Sequence, residues 1–241
     1  MDVKEESILG DAVYTHWYYL SKLKAIQGLL ADIFFKRILD VGAGSGIFSK
    51  LLLIDAGSAA RCVDTAYVDD ERRELYQGKE IVFVKTINSV DEDVVLMIDV
   101  IEHVENDREF LKYYVDRMPV GGHVLISVPA FNLLWSGHDV FLEHKRRYSL
   151  GELESLVKNA GLHVVKGRYF FGLLFPIVAA IRIFSRWRGR TNKNQAKSDL
   201  TKASNIVNSL LIMIHQVEAK TLFLINRGAG LSAFCLAKKV S

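Results

Sequence analysis

"ILDVGAGSGIFSKLL", residues 38–52, sets three glycines into positions 42, 44 and 46, directly after an apolar run. An apolar run, a dense cluster of glycines and a second apolar segment read as strand, tight turn and helix. Glycines so close together let the backbone approach something closely. A dinucleotide-binding turn has the pattern G-x-G-x-x-G, in which the third glycine allows close helix–strand packing. Here Gly42-Ala43-Gly44-Ser45-Gly46 is one residue too short for that pattern. What the turn holds must be decided from the residues around it.

Working outward, the chain of 241 residues suits one α/β domain with an insertion. Half of its residues are hydrophobic and 24% are charged, so a sizeable core is expected. A formal charge of +3 is too small to suggest a nucleic-acid partner. Cys62 and Cys235 lie far apart in apolar, strand-like runs without metal-ligand spacing and read as buried, reduced thiols. The opening "MDVKEESILGD" is acidic and has no apolar core, which argues against a signal peptide and for a cytoplasmic protein.

Short β-branched, apolar runs at 37–41, 59–63, 81–84, 94–98, 123–128, 163–170 and 232–238 read as strands. Helical patterns occupy 17–32, 47–55, 107–118 and 150–160. The last follows Ser149, has Glu152 in its first turn and stops at Gly161, a signal at each end. This alternation predicts a parallel sheet covered on both faces by helices.

Asp40 stands two residues before the first glycine. Beside a pyrophosphate it would add like-charge repulsion in a poorly solvated crevice, whereas beside a cation it would help. Asp64 ends the second strand, where a carboxylate can accept both ribose hydroxyls. S-adenosylmethionine (SAM) carries a sulfonium and an ammonium and no phosphate, so it suits this pattern better than a nicotinamide dinucleotide does.

"ILDVGAGSGIFSKLL" resembles the first motif of class I SAM-dependent methyltransferases, and "VVLMIDVIEHVEND" (94–107) resembles their fourth-strand motif. "HWYYLSKLKAI" (16–26) is similar to an N-terminal helix that covers the SAM site in one bacterial branch of small-molecule enzymes. "GGHVLISVPAF", "SGHDVFLEHKRRYSLGELESLVKNAGL" and "GLSAFCLAKK" resemble the same branch. The resemblance covers residues 14–170 and 228–239. It implies a Rossmann-like α/β fold: a seven-stranded, mostly parallel sheet with an antiparallel last strand and SAM at the carboxyl ends of the strands. It implies SAM contacts from His16, Asp40, Gly42, Ala43, Gly44, Gly46, Asp64, Thr65, Asp99 and Val100, with S-adenosylhomocysteine as product. One departure is "KTINSVDED" (85–93), where the family often has an acid near the adenine; Thr86-Ile87-Asn88 leaves adenine recognition unassigned.

Asp99 ends the fourth strand, and by resemblance lies near the methionine part of SAM. Glu102 and His103 follow it; His103 could cap, line the site or move a proton. "HDVFLEHKRRY" (138–148) is the substrate-side candidate, dense in proton-transfer and anion-binding groups. His138 and His144 are the candidate catalytic bases, while Lys145, Arg146 and Arg147 could hold an acceptor's carboxylate or phosphate or form structural ion pairs. His-x₅-His beside Asp139 also has the look of a metal site, but no third ligand is evident, so no metal is expected.

Residues 171–227 depart from a minimal enzyme of this kind, leaving 1–170 and 228–241 as the core. "YFFGLLFPIVAAI" (169–181) is uncharged but shorter than the roughly 20 residues that span a bilayer. Residues 182–202 hold seven Lys/Arg against one acid, Asp199. Ala203, Val207, Leu210, Ile214, Val217, Thr221 and Leu224 then recur at helical spacing as the seam of an amphipathic helix. A membrane-surface anchor at the inner face of the membrane, a lid over a lipophilic acceptor and a homodimer interface all fit. The sequence thus predicts methyl transfer to a small, lipophilic or lipid-linked acceptor, on oxygen rather than nitrogen or carbon. The alternatives are a catalytically silent, membrane-associated scaffold of the same fold and a nicotinamide-dependent oxidoreductase.

Overall fold

The computed structural model describes residues 8–187 and 204–241. One mixed sheet organises them. In chain order its strands are β1 (Arg37–Val41), β2 (Ala59–Val63), β3 (Glu71–Tyr76), β4 (Lys79–Val84), β5 (Val94–Ile98), β6 (His123–Pro129), β7 (His163–Phe170) and β8 (Ser232–Lys238). Across the sheet they run β3-β4-β2-β1-β5-β6-β8-β7. β4, β2, β1, β5 and β6 pair in parallel, and β8 lies antiparallel between β6 and β7. The order reverses at β1, between β2 and β5, and a crevice at such a reversal is where open α/β sheets bind ligands.

All seven expected strands form, and the last is antiparallel as expected. The eighth, β3, was hidden because "ERRELY" carries too much charge to read as a strand. It forms as the outer arm of a hairpin on β4, turned by Gln77 and Gly78, both with positive φ. Its charged side chains suit an edge, where they discourage pairing with another sheet.

Helices α1 (Trp17–Leu30), α2 (Ile47–Asp55), α3 (Asp107–Arg117), α4 (Gly137–Phe141), α5 (Leu150–Asn159), α6 (Phe175–Trp187) and α7 (Asn205–Lys220) cover the sheet. Alternate residues of each central strand serve opposite faces. Ile38, Leu96 and Leu125 pack with α1 and α2, whereas Leu39, Val95 and Val124 pack with α3 and α5. Ser149 caps α5 in a reciprocal capping box with Glu152, as its sequence predicts.

The apolar seam read in the insertion is found on α7. The expected seam is outward: Val207, Leu210, Val217 and Leu224 are exposed. Ala203 and the basic residues from 188 to 202 lie outside the described residues. α7 instead buries His215, Glu218 and Ala219 against α1 and the turn after β7. Backbone groups there need partners. Asn208 accepts the Trp17 N–H at 2.8 Å and donates to the Thr15 carbonyl at 2.9 Å. Glu218 accepts the Gly172 N–H at 2.6 Å and pairs with His215 at 2.8 Å, while the His215 ring stacks on Trp17. Among the described residues no helix is long and apolar enough to cross a membrane.

Candidate active site

The glycine turn joins β1 to α2. Gly42, Gly44 and Gly46 all have positive φ. A Cβ on Gly42 would lie 2.8 Å from the Val100 side chain, so the turn sits directly against the end of β5. A Cβ on Gly46 would lie 3.1 Å from Cys62 and from Phe83, so this glycine lets α2 sit close to the sheet despite the short spacing. Ala43 between them is buried. Asp64 is tied to the turn: it accepts the Gly44 N–H at 3.1 Å and the Ala66 N–H at 2.9 Å. Thr65 beside it is exposed.

Asp40 lies buried in the same region, accepting the Ser49 hydroxyl of α2 at 2.8 Å. Burial pushes its carboxyl up to about 6, against the opposing pull of that hydrogen bond. Asp99, at the end of β5, has a left-handed backbone with φ +53. It receives hydrogen bonds from the Lys22 ammonium, from Tyr18 Oη at 3.2 Å and from Ser127 Oγ at 3.3 Å. Burial would raise its carboxyl, but the Lys22 charge outweighs this and holds it below the usual carboxylate range. Lys22 is wholly buried, and its sequence signal is faint: one lysine four residues after Tyr18, on the inward face of α1. His16 is buried at the N-cap of α1, where its ring accepts the Tyr18 N–H.

The residues after β5 and β6 converge. His103 and His144 have ring centroids 4.8 Å apart, and His138 and His144 are 6.4 Å apart. Both predicted bases thus share one site with His103. Asp139, wholly buried, caps α4 through Ser136 and takes Arg147 in two hydrogen bonds of 2.6 and 2.9 Å. Although burial works the other way, the bonds from His144 and the Arg147 charge hold its carboxyl far below the ordinary range. An ionised Asp139 can only accept, so in its 2.9 Å bond to His144 the proton is on Nδ1, and in the neutral ring the lone pair is then on Nε2.

The basic run is largely consumed by ion pairs. Arg147 is buried on Asp139, Arg146 reaches Asp107 at 3.2 Å, and only Lys145 is left half-exposed, 4.0 Å from Glu105. The expectation that these cations hold an acceptor's anion gives way, for both arginines, to the structural alternative. The sequence reading also gave Glu102 no role. This side chain is 0% exposed, and neither carboxylate oxygen has a hydrogen-bond partner. Burial, reinforced by the charge of Asp99, holds its carboxyl well above the ordinary value.

Aromatic rings roof this edge. Phe171 stacks on Tyr18 at 5.6 Å and meets Trp17 edge-on, while Phe131 lies between Tyr169 and Phe175. Phe170 and Phe171 are buried, and Leu174 and Phe175 are half-buried. Among the described residues, Asp99, Phe131, Glu143 and Phe171 are four of the five non-glycine residues with positive φ, a strained conformation that tends to gather at functional sites.

The strand order, the glycine turn and the acids ending β2 and β5 define a class I SAM-dependent methyltransferase fold. The family model for the methyltransferase domain matches residues 14–166, and the chain belongs to that family. A ubiquinone biosynthesis O-methyltransferase of Rickettsia bellii is 30% identical over 118 residues, covering 46% of this chain and 48% of that protein. The chain therefore spans about half the length of the curated relatives it matches. Among solved structures, a putative methyltransferase of Haloferax volcanii, in complex with the activator Trm112, aligns over 100% of this chain and 99% of its own, with 14% identity and a TM-score of 0.56. Phosphoethanolamine N-methyltransferase 2 of Haemonchus contortus, with phosphomonomethylethanolamine and S-adenosylhomocysteine bound, aligns over 99% of this chain and 57% of its own, with 16% identity and a TM-score of 0.55.

Proposed function

We propose that this protein transfers the methyl group of SAM to an oxygen of a small, lipophilic acceptor and releases S-adenosylhomocysteine. The observation that carries the proposal is the convergence of His103, His138 and His144 on the sheet edge that holds Asp99, beneath an aromatic roof. Relatives named as ubiquinone biosynthesis O-methyltransferases, matched over about half of their length, support the choice of oxygen and of a lipophilic acceptor.

Bound SAM supplies a methyl group on a positively charged sulfur. The glycine turn offers its backbone, Asp64 the acceptor for the ribose hydroxyls, and Asp99 a carboxylate for the methionine end. In-line displacement from a sulfonium gains most from proximity and alignment. A hydroxyl acceptor must also lose a proton, which His138 or the Nε2 of His144 can take. The outward apolar faces of α6 and α7, with the basic residues of 182–202, would rest on an anionic membrane surface and bring in the acceptor from there.

The test is incubation with radiolabelled SAM and a lipid extract, followed by mass spectrometry of the labelled product. Transfer to oxygen is expected. Replacing the base, His138 or His144, with Ala should lower turnover by about 10²–10⁴ while SAM still binds in calorimetry. SAM binding with no transfer to any extract would favour the silent scaffold.

A further inference from the structure

Two of the three buried residues of α7 are polar, His215 and Glu218 beside Ala219, while Leu210, Met213 and Val217 stay outside. A buried polar pair adds little stability over apolar packing, and its best-attested use is to fix one arrangement among several. What this pair fixes is the turn after β7. One Glu218 oxygen accepts the Gly172 N–H at 2.6 Å, and the other pairs with His215 Nδ1 at 2.8 Å. The His215 ring meets Phe171 edge-on at 4.8 Å and stacks on Trp17 at 5.6 Å.

Phe171 has φ +59, a conformation that a bulky side chain keeps only where its surroundings impose it. The bond to Gly172 and the His215 ring supply that constraint. In this pose Phe171 lies over the Tyr18 ring, 5.6 Å away with 12° between the planes. The Tyr18 hydroxyl donates to Asp99 Oδ2 at 3.2 Å and accepts from Lys22 at 2.9 Å. One residue earlier on α1, the Trp17 N–H is taken by Asn208 of α7. A line of contacts thus runs from α7 to the carboxylate that follows β5.

We infer that His215 and Glu218 are positioning residues for the cofactor: through Phe171 they hold the Tyr18 hydroxyl on Asp99, and so orient the carboxylate that meets the methionine end of SAM. The inference rests on the reading that Asp99 faces that end. Tyr18 and Lys22 both lie on Oδ2, and Ser127 lies on Oδ1, so the carboxylate is oriented before the ligand arrives. A group oriented in advance binds more tightly, because less ordering remains for the binding step. The insertion therefore acts on the cofactor site as well as covering it.

The test is calorimetry with SAM alone, without an acceptor, beside a thermal melt of each variant. The wild type should bind SAM, and Asp99→Asn should bind it about tenfold more weakly or worse. Glu218→Ala should weaken SAM by about tenfold, the size of one lost hydrogen bond. Glu218→Gln should bind like the wild type, because its carbonyl can accept the Gly172 N–H while its amide donates to His215 Nδ1. Tyr18→Phe should weaken SAM by a similar factor, and adding Glu218→Ala to it should weaken SAM no further. That non-additivity, with Phe171 between the two residues, is what positioning requires and what a general loss of stability does not produce. Leu153→Val, at a buried position on α5, should melt lower and bind SAM unchanged. Where Glu218→Ala fails to fold, His215→Gln replaces it, with the same loss and the same non-additivity expected. A wild type without SAM affinity, or an Asp99→Asn with undiminished affinity, would remove the reading of Asp99 and the inference with it. Undiminished affinity in a folded Glu218→Ala or His215→Gln, or losses that multiply in the double variant, would overturn the inference alone.

Discussion

At the carboxyl edge of the sheet and in α7, polar side chains are buried for different reasons. At the sheet edge Asp40 near the end of β1, Glu102 in the turn after β5 and Asp139 on α4 are inside. Their surroundings push them apart: Asp40 and Glu102 upward, Asp139 downward. Groups tuned in opposite directions within one crevice mark chemistry. In α7 the buried His215 and Glu218 are joinery, tying the insertion to Trp17 and Gly172. Its exposed face is the apolar one, with Ile206, Leu210, Met213 and Val217 left outside. The comparison teaches that the two burials answer different needs: charge control for a ligand in the first region, and attachment of a cover in the second.

The hardest test of that contrast is Asp139→Ala. It would leave the buried Arg147 without its carboxylate and His144 without its orienting acceptor. Removing one partner of a buried pair typically costs about 3–5 kcal/mol, and a urea midpoint with unchanged m-value should show a loss of that order. A loss below about 1 kcal/mol would mean that the sheet-edge network is no more demanding than surface joinery.

Asp40 gives a smaller effect with a definite sign. Its folded carboxyl titrates near 6, above the ordinary value of 3.8. Between those values the folded state holds more protons than the unfolded one, so this group lowers stability as pH rises from about 4 to about 6. The deficit is fully present above that window and amounts to about 3 kcal/mol at most. Asp40→Asn should therefore gain on the wild type as pH rises through the window and hold that gain at pH 7, as thermal melts at several pH values would show. If Asp40 senses the cation of SAM, saturating SAM should shrink the gain. A gain that is flat with pH would show that the carboxyl is not raised by burial.

Much of this was legible in order. The turn at 42–46, the seven main strands and the caps of α5 are local patterns, and local patterns survive in sequence. Asp64, Asp99, His138 and His144 could be picked out because each follows a strand whose end must face the crevice. Lys22, Glu102 and the Asp139–Arg147 pair could not be placed, since their neighbours lie 77 residues away, in another loop, or within a run that read simply as basic. β3 was hidden by its charge. The α7 seam was legible but its direction was not, because apolar periodicity reports amphipathicity, not which face finds a neighbour; the backbone groups of Thr15, Trp17 and Gly172 decided that.

The smallest expected effect on stability bears most directly on the insertion. Ile177, Ile181 and Trp187 on α6, and Ile206, Leu210, Met213 and Val217 on α7, are exposed, Trp187 at 82% and Ile206 at 83%. Substitutions at surface positions usually change stability by no more than about 0.5 kcal/mol. The double variant Leu210→Ser, Met213→Ser should accordingly melt with the wild type at every protein concentration. Its flotation with anionic vesicles should nonetheless fall well below the wild type's, because the apolar contact is lost while the basic residues remain. Wild-type flotation should itself weaken as salt rises from 0.05 to 0.5 M, since screening shortens the reach of those charges to about a Debye length. A double variant that melts several degrees lower, with a wild-type melting point that climbs with protein concentration, would mean that a second copy of the chain covers this face in solution. The outward apolar face of α7 would then be a subunit interface, and the contrast with the sheet edge would be one between a ligand site and an assembly site.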